Sequence, residues 1–398
     1  MRSEIDDIFK EYNETKDEIE ITINQTKADL QPFNEKIVLY GAGSAGIAFL
    51  NYLRDIDVEP RFFADADEKR WGTLVEGIEV IDYHQIVEKV GEDALVIVTI
   101  NTDGVRYCKS FAEALRIGGH IGVHKRLAEC GCKNVIDYTY FRRCRALFHD
   151  DPYNLPSCSD VHHMEKHKED MQQVYEWLAD DKSREVFLKI IRFRMIDDTI
   201  LIPTDKQDKQ YFEYEFYPKR DDEIFVDCGA FNGISLRTFL AENTNMFSRY
   251  YGFEPDSVNY VSLQKYVASL PQELHEKIQI FHKAVYDTDA ETMIYALHGP
   301  GSFVADIGNE AVQTIRIDTA IYDHKASYIK MNIEGSELNA LKGAEKTINY
   351  SHPKLAIAGY HKTWDLWEVP KLIHTIDPSY KFYLRSYMNH LSFVYYAI

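Results

Sequence analysis

The stretch Ile224-Phe-Val-Asp-Cys-Gly-Ala-Phe-Asn-Gly-Ile-Ser-Leu-Arg-Thr-Phe239 decides the fold. Ile224–Val226 is a short apolar run with β-branched members, which reads as a buried strand. Asp227 stands at its end, Gly229 and Gly233 follow, and a helical apolar pattern then begins. Strand, glycine turn and helix in that order describe one βα unit of an open α/β sheet, whose ligands bind at the carboxyl ends of the strands. D-x-G-x-x-x-G with an acid at the strand end fits an adenosyl ligand that lacks a pyrophosphate. Gly229 lets a ligand approach the backbone, and Asp227 is expected to balance an amino group or hold water near it. The next strand, Tyr250–Phe253, ends in Glu254-Pro-Asp256, and Glu254 can take both ribose hydroxyls as a bidentate acceptor.

Further strands are expected at Ile278–Phe281, Tyr328–Ile333, Leu355–Ala358, Lys381–Arg385 and Leu391–Tyr396. The last two are close together and alternate, as an antiparallel hairpin does. After Tyr328–Ile333 the chain crowds Asn332, Glu334 and Glu337 around Gly335 before a helix. Carboxylates packed where a strand becomes a helix repel one another, which suits a ligand cation or a donor-rich substrate. Glu337 is also a first-turn acid that favours the helix dipole.

A second βα unit lies upstream. In KIVLYGAGSAGIAFLNYL, residues 36–53, a strand runs into Gly41-Ala-Gly43-Ser-Ala-Gly46 and then a helix. This is G-x-G-x-x-G in the context that lets a helix N-terminus meet a phosphate. A strand at Arg61–Ala64 ends at Asp65, where an acid could meet ribose hydroxyls, and Ala94–Ile100 is continuously apolar. Residues 31–125 therefore read as a small doubly wound domain with Gly41, Gly43, Gly46 and Asp65 as its nucleotide site. The alternative is a glycine turn kept for helix–strand packing. Residues 1–30 read as a charged helix with an apolar face at Ile5, Ile8, Phe9 and Tyr12. Residues 126–220 read as a helical connector, with Asp180–Ser183 as a break between two helices. The fold expectation is α/β: two Rossmann-like doubly wound sheets joined by that connector, with a second domain at 221–398.

Composition sets limits. The chain has 398 residues and a formal net charge of −19, which disfavours general binding to nucleic acid. No apolar stretch approaches a membrane span, and the acidic N-terminus lacks a signal-peptide core. Six cysteines are too few for a secreted disulfide scaffold, so a cytoplasmic location is expected. Cys130, Cys132, Cys144 and Cys158, with His162, His163 and His167 after them, have irregular spacing for zinc and are read as inert thiols.

Four motifs in order make a resemblance specific. IFVDCGAFNGISLRTF, then YYGFEPD, then YIKMNIEGSELNALKGAEKTI, then PKLAIAGYHKTWDLWEVP resemble the FkbM family of S-adenosylmethionine-dependent methyltransferases over roughly residues 170–398. WLADDKSREVF is similar to the segment that precedes the catalytic domain in many members. VLYGAGSAG with FADADEKRWG and EGIEV is similar to the sugar-nucleotide-binding-like domains fused to several glycan-modifying enzymes. The resemblance implies a class I methyltransferase-type sheet and methyl transfer to an oxygen of a sugar, glycan or sugar-linked acceptor, a nucleotide sugar included. It implies S-adenosylmethionine on Asp227, Gly229, Ala230, Asn232 and Gly233, with ribose on Glu254 and adenine bordered by Asp256, Ala284 and Val285. Asn332, Glu334 and Glu337 are implied at the acceptor edge, with His361 at the end of the following strand. Family members generally read KMDIEG where this chain has Asn332, which cannot act as a base or an anionic ligand.

His361 is the leading candidate for the base, because its ordinary pKa lies near neutrality. Glu334 is second. A divalent metal on Glu334 and Glu337 is the disfavoured alternative, because it needs more oxygen ligands than these two supply. Tyr360, Trp364 and Trp367 suit core packing slightly better than a saccharide platform. Lys362 and Arg385 are candidates to meet an anionic acceptor. Three function classes compete: the methyltransferase, a two-site binding protein weakened by Asn332 and recognising a nucleotide sugar, and an oxidoreductase using the N-terminal glycine motif. Self-association is left open.

Overall fold

The computed structural model describes residues 4–100, 111–117, 121–138, 140–141, 161–196, 202–206, 209–243, 245–296, 303–304, 310–387 and 392–398. The chain divides into two units, one of residues 1–167 with 191–200, the other of residues 168–190 with 201–398.

The first unit is built on six strands: β1 (Ile37–Tyr40), β2 (Phe62–Asp65), β3 (Leu74–Val75), β4 (Ile78–Asp82), β5 (Leu95–Val98) and β6 (Asn134–Asp137). Their order is β3-β4-β2-β1-β5-β6, and all neighbours are parallel except β3 and β4. β1 and β5 are buried at every position, as strands covered on both faces must be. The helix Glu4–Leu30 buries Ile5, Ile8, Phe9 and Tyr12. The expected boundary at 125 is corrected, because β6 pairs with β5 and extends the sheet to Asp137.

The second unit holds β7 (Ile224–Cys228), β8 (Arg249–Phe253), β9 (Ile278–Phe281), β10 (Ala284–Val285), β11 (Thr292–Ala296), β12 (Phe303–Val304), β13 (Glu310–Ile315), β14 (Tyr328–Met331), β15 (Lys354–Ala358), β16 (Phe382–Ser386) and β17 (Phe393–Ala397). Seven of them form the sheet β16-β17-β15-β14-β7-β8-β9, parallel except for β17, which runs antiparallel to both of its neighbours. The terminal hairpin thus closes one side of an otherwise parallel sheet. β10, β13, β11 and β12 make a separate four-stranded sheet that the sequence reading did not anticipate. The expected connector at 126–220 is not a separate body. Leu178 bridges Phe382 and Thr204 bridges Ser386, so its later part adds to the seven-stranded sheet.

Arg385 is where the connector's buried charge goes. It is 2% exposed, and its Nη2 donates to Asp180 at 2.6 Å and Glu215 at 3.3 Å, with Nη1 bonded to Ser183 at 3.0 Å. The expectation that Arg385 meets an acceptor is corrected: the guanidinium is spent inside the fold. Trp367 is fully buried in the core. Cys130 and Cys132 are free thiols, and burial pushes Cys132 up to about 11. Cys144 and Cys158 lie outside the described residues.

Candidate active site

The register of β7 against its neighbours sets up the site. Asp227 pairs with Lys330 on β14 and Gly252 on β8. Its carboxylate is fully buried and accepts from Lys330 Nζ at 2.9 Å, Tyr250 Oη at 2.7 Å and Ser235 Oγ. A Cβ on Gly252 would stand 2.8 Å from the Tyr250 ring, so glycine lets that ring cross to Asp227. Lys330 also donates to the carbonyls of Gly229 at 2.7 Å and Cys228 at 3.2 Å. Asp227 therefore holds the turn together from below, and its carboxylate is engaged by three side chains. The expected contact with a ligand amino group is corrected on that ground.

The turn above it is shaped by left-handed backbone. Gly229, Phe231 and Gly233 have φ of 81°, 50° and 87°. A Cβ on Gly229 would lie 2.0 Å from the Asn332 carbonyl, so the turn after β7 packs directly on the one after β14. Ala230 is fully buried. Asn232 Oδ1 is buried with no hydrogen-bond partner, a polar atom that a ligand donor would satisfy.

Glu254 follows β8 and is 4% exposed. Its two oxygens accept the Phe231 and Asp256 backbone N–H groups at 2.8 and 3.0 Å. Burial pushes its carboxyl up to about 7. Each oxygen keeps lone-pair capacity for a hydroxyl donor. Asp256 instead caps the helix Ser257–Ala268, accepting from Val258 and Asn259 at 2.9 Å each. Ala284 and Val285 are buried on β10.

After β14 the chain makes a tight turn through Glu334 (φ 54°) and Gly335 (φ 94°). Glu337, fully buried, holds it from below by accepting Ile333 N–H at 2.8 Å and Gly335 N–H at 2.9 Å. His361, from the turn after β15, is 8% exposed. Its Nδ1 lies 2.9 Å from Glu337 Oε1 and its Nε2 3.4 Å from Glu334 Oε2, neither aligned as a hydrogen bond. Burial disfavours the charged ring, but Glu337 and Glu334 outweigh it and raise His361 to about 9. Burial pushes Glu334 up against the pull of His361, while the same imidazole holds Glu337 below its usual range despite burial. The expectation that His361 is the base is corrected: both ring nitrogens face carboxylates, and the ring is an imidazolium at neutral pH. Glu334, whose side chain is 29% exposed, is the more accessible of the two carboxylates at His361.

Tyr360 Oη donates to Asn332 Oδ1 at 3.2 Å. Asn332, Glu334 and His361 are thus brought to one place, facing the turn that carries Gly229 and Asn232. Sequence reasoning missed Lys330 and Asp365. The first was legible as the residue two before Asn332 on the same strand. The second, fully buried and accepting from Lys362 N–H at 2.8 Å, left no signal.

In the first unit, Gly41 (φ 111°) makes the turn and Gly46 packs the helix Ser44–Asp55 on it, since a Cβ there would be 2.0 Å from the Gly41 carbonyl. Gly43 faces open space. Asp65 is held as Glu254 is, with one backbone amide on each oxygen. It accepts from Ala42 N–H at 2.8 Å and Asp67 N–H at 2.9 Å, and Arg70 binds the Ala42 carbonyl at 2.6 Å. This acid fastens the glycine turn.

Residues 227–395 match the family model of the methyltransferase FkbM domain. The fold is similar to the crystal structure of methyltransferase FkbM from Methylobacillus flagellatus KT, with a TM-score of 0.62 at 20% identity, covering 96% of this chain and 99% of that one. A putative rRNA methylase from Clostridium thermocellum matches 49% of this chain and 96% of its own, at 10% identity and a TM-score of 0.33. No curated protein matches the sequence. Among the described residues no helix is long and apolar enough to cross a membrane.

Proposed function

We propose, from the match of residues 227–395 to the FkbM methyltransferase domain model, that the chain moves a methyl group from S-adenosylmethionine to an oxygen of a sugar, glycan or sugar-linked acceptor. The observation that carries the reading is the meeting of two left-handed turns at the carboxyl edge of the sheet. One bears Asn232 and leads to Glu254, and the other bears Glu334 beside His361. The residues present fit the cofactor. Asn232 Oδ1 is a buried acceptor without a partner, and Glu254 offers a buried carboxylate to vicinal hydroxyls. Gly229, Ala230 and Gly233 would give it backbone at close range, with Ala284 and Val285 beside the base. The cofactor supplies an electrophilic methyl on a sulfonium.

The chain's own part is to orient the acceptor and take its proton. Glu334 is the base in this reading. It is partly exposed, and burial raises its proton affinity toward that of a useful base. His361, charged, balances Glu334 and Glu337, and Glu337 fixes the turn. Asn332, bonded to Tyr360, orients the acceptor and needs no charge to do so. Gly41, Gly43 and Gly46 would serve a nucleotide or nucleotide sugar through the open approach at Gly43.

Titration calorimetry with S-adenosylhomocysteine tests the cofactor site. Wild type binds, and Glu254→Ala binds at least about tenfold more weakly, about 1.4 kcal/mol. Absence of binding to the folded wild-type chain sinks the reading. Asp227→Ala is a poor probe, because it uncouples Lys330 from the fold.

A further inference from the structure

We propose that Glu337, His361 and Asp365 form a binding site for one first-row divalent cation at the carboxyl edge of the seven-stranded sheet. The sequence alone offered only Glu334 and Glu337, too few ligands. The fold adds an imidazole and a third carboxylate from the segment after β15. Ligand atoms of Glu337, His361 and Asp365 all lie within 4.8 Å of one another. These three side chains are 0%, 8% and 1% exposed.

The second observation is His361 itself. The ring is more than nine-tenths buried, points its nitrogens at Glu337 and Glu334, and has neither nitrogen in a hydrogen bond. An imidazole in such a place is a ligand in search of a partner. The charge balance points the same way. Three carboxylates face one imidazole, and buried carboxylates are costly without compensation. A divalent cation would supply the compensating charge.

The outer contacts are in place. Backbone N–H groups of Ile333 and Gly335 orient Glu337, and that of Lys362 orients Asp365. Such bonds fix ligating carboxylates and leave lone pairs for a metal. One imidazole nitrogen among carboxylate oxygens favours zinc, manganese or iron(II) over magnesium or calcium. Glu334, beside the other imidazole nitrogen, is the more exposed neighbour of the site. The cation's use rests on the methyl-transfer reading above, in which it would lower the pKa of an acceptor hydroxyl. Bound or free, His361 is not a free base.

The test uses the full chain, stripped with a chelator and dialysed. It is titrated with zinc chloride and manganese chloride, with magnesium chloride for comparison. The expected result is one equivalent of zinc or manganese. Binding weakens at least about tenfold in His361→Gln and Asp365→Asn, about 1.4 kcal/mol, and magnesium binds more weakly than either. No saturable uptake of zinc or manganese overturns the site, as does uptake that both variants leave unchanged. If Asp365→Asn does not fold, His361→Gln alone decides. S-adenosylhomocysteine is titrated on the same samples. Its binding without metal uptake overturns the cation site and leaves methyl transfer standing. Metal uptake lost in the variants, without nucleoside binding, supports the site and overturns the methyl-transfer reading.

Discussion

Lys330 Nζ reaches Asp227 Oδ1 at 2.9 Å across the β14–β7 register, and the same ammonium caps the Gly229 carbonyl at 2.7 Å. Both side chains are at most 3% exposed. The pair therefore ties the strand that opens the cofactor turn to the strand that opens the acceptor turn. Removing the lysine leaves a buried carboxylate without its cation, which costs about 3–5 kcal/mol. Lys330→Met should lose that much in urea denaturation, and Lys330→Met/Asp227→Asn should recover part of it.

Two glycines separate packing from ligand approach. Gly229→Ala forces a Cβ to 2.0 Å from the Asn332 carbonyl at a φ of 81°. Gly43→Ala meets nothing within 4 Å. The first should destabilise the second unit by more than about 2 kcal/mol. The second should leave thermal unfolding within about 0.5 kcal/mol of wild type, and it should weaken any nucleotide held at the glycine turn.

Glu254 predicts a pH dependence of nucleoside binding. Burial raises its carboxyl to about 7, and ribose hydroxyls are best met by the ionised form. Below pH 7 the group holds a proton that binding must expel. S-adenosylhomocysteine affinity should fall as pH drops from 8 to 6, by up to about tenfold per pH unit. Calorimetry in two buffers of different ionisation enthalpy should show proton release. Affinity independent of pH over that range would remove Glu254 from the ribose role.

Glu334→Gln keeps the shape of the acceptor turn and removes its base. Once an acceptor is in hand, kcat should fall by about 10²–10⁴, while S-adenosylhomocysteine binding stays within a factor of about three. An equal loss in binding would mean that Glu334 serves the fold instead.

Asp180 gives an acid limb to stability. Burial opposes its charge, but Arg385 and Ser183 outweigh that and hold it down at about 2. A carboxyl depressed in the folded state contributes stability that is complete above its ordinary value near 4 and is lost as pH falls toward 2. Arg385→Ala should shrink this limb in acid unfolding followed by circular dichroism, leaving the part that Ser183 supports. It should also lower stability at pH 7 by about 3 kcal/mol.

The βα units and the closing hairpin were legible in the sequence. Each rests on local periodicity and glycine chemistry that neighbouring residues carry by themselves. Glu334 and Gly335 were visible as an acidic turn for the same reason. The sequence also pointed to the adenosyl-type turn, because an acid at a strand end before spaced glycines is a local pattern.

Charge state and partnership were decided only by the tertiary structure. Asp227 read as a ligand group, yet it is spent on Lys330, Tyr250 and Ser235. Arg385 read as a candidate to meet an anionic acceptor and is buried against Asp180. His361 read as a base near neutrality, yet folding places it between Glu337 and Glu334. The gathering of Asp365 with Glu337 and His361 has no sequence signature. Periodicity is a property of adjacent residues. A pKa or a ligand set depends on which distant groups share a low-dielectric space, and only the closed chain determines that.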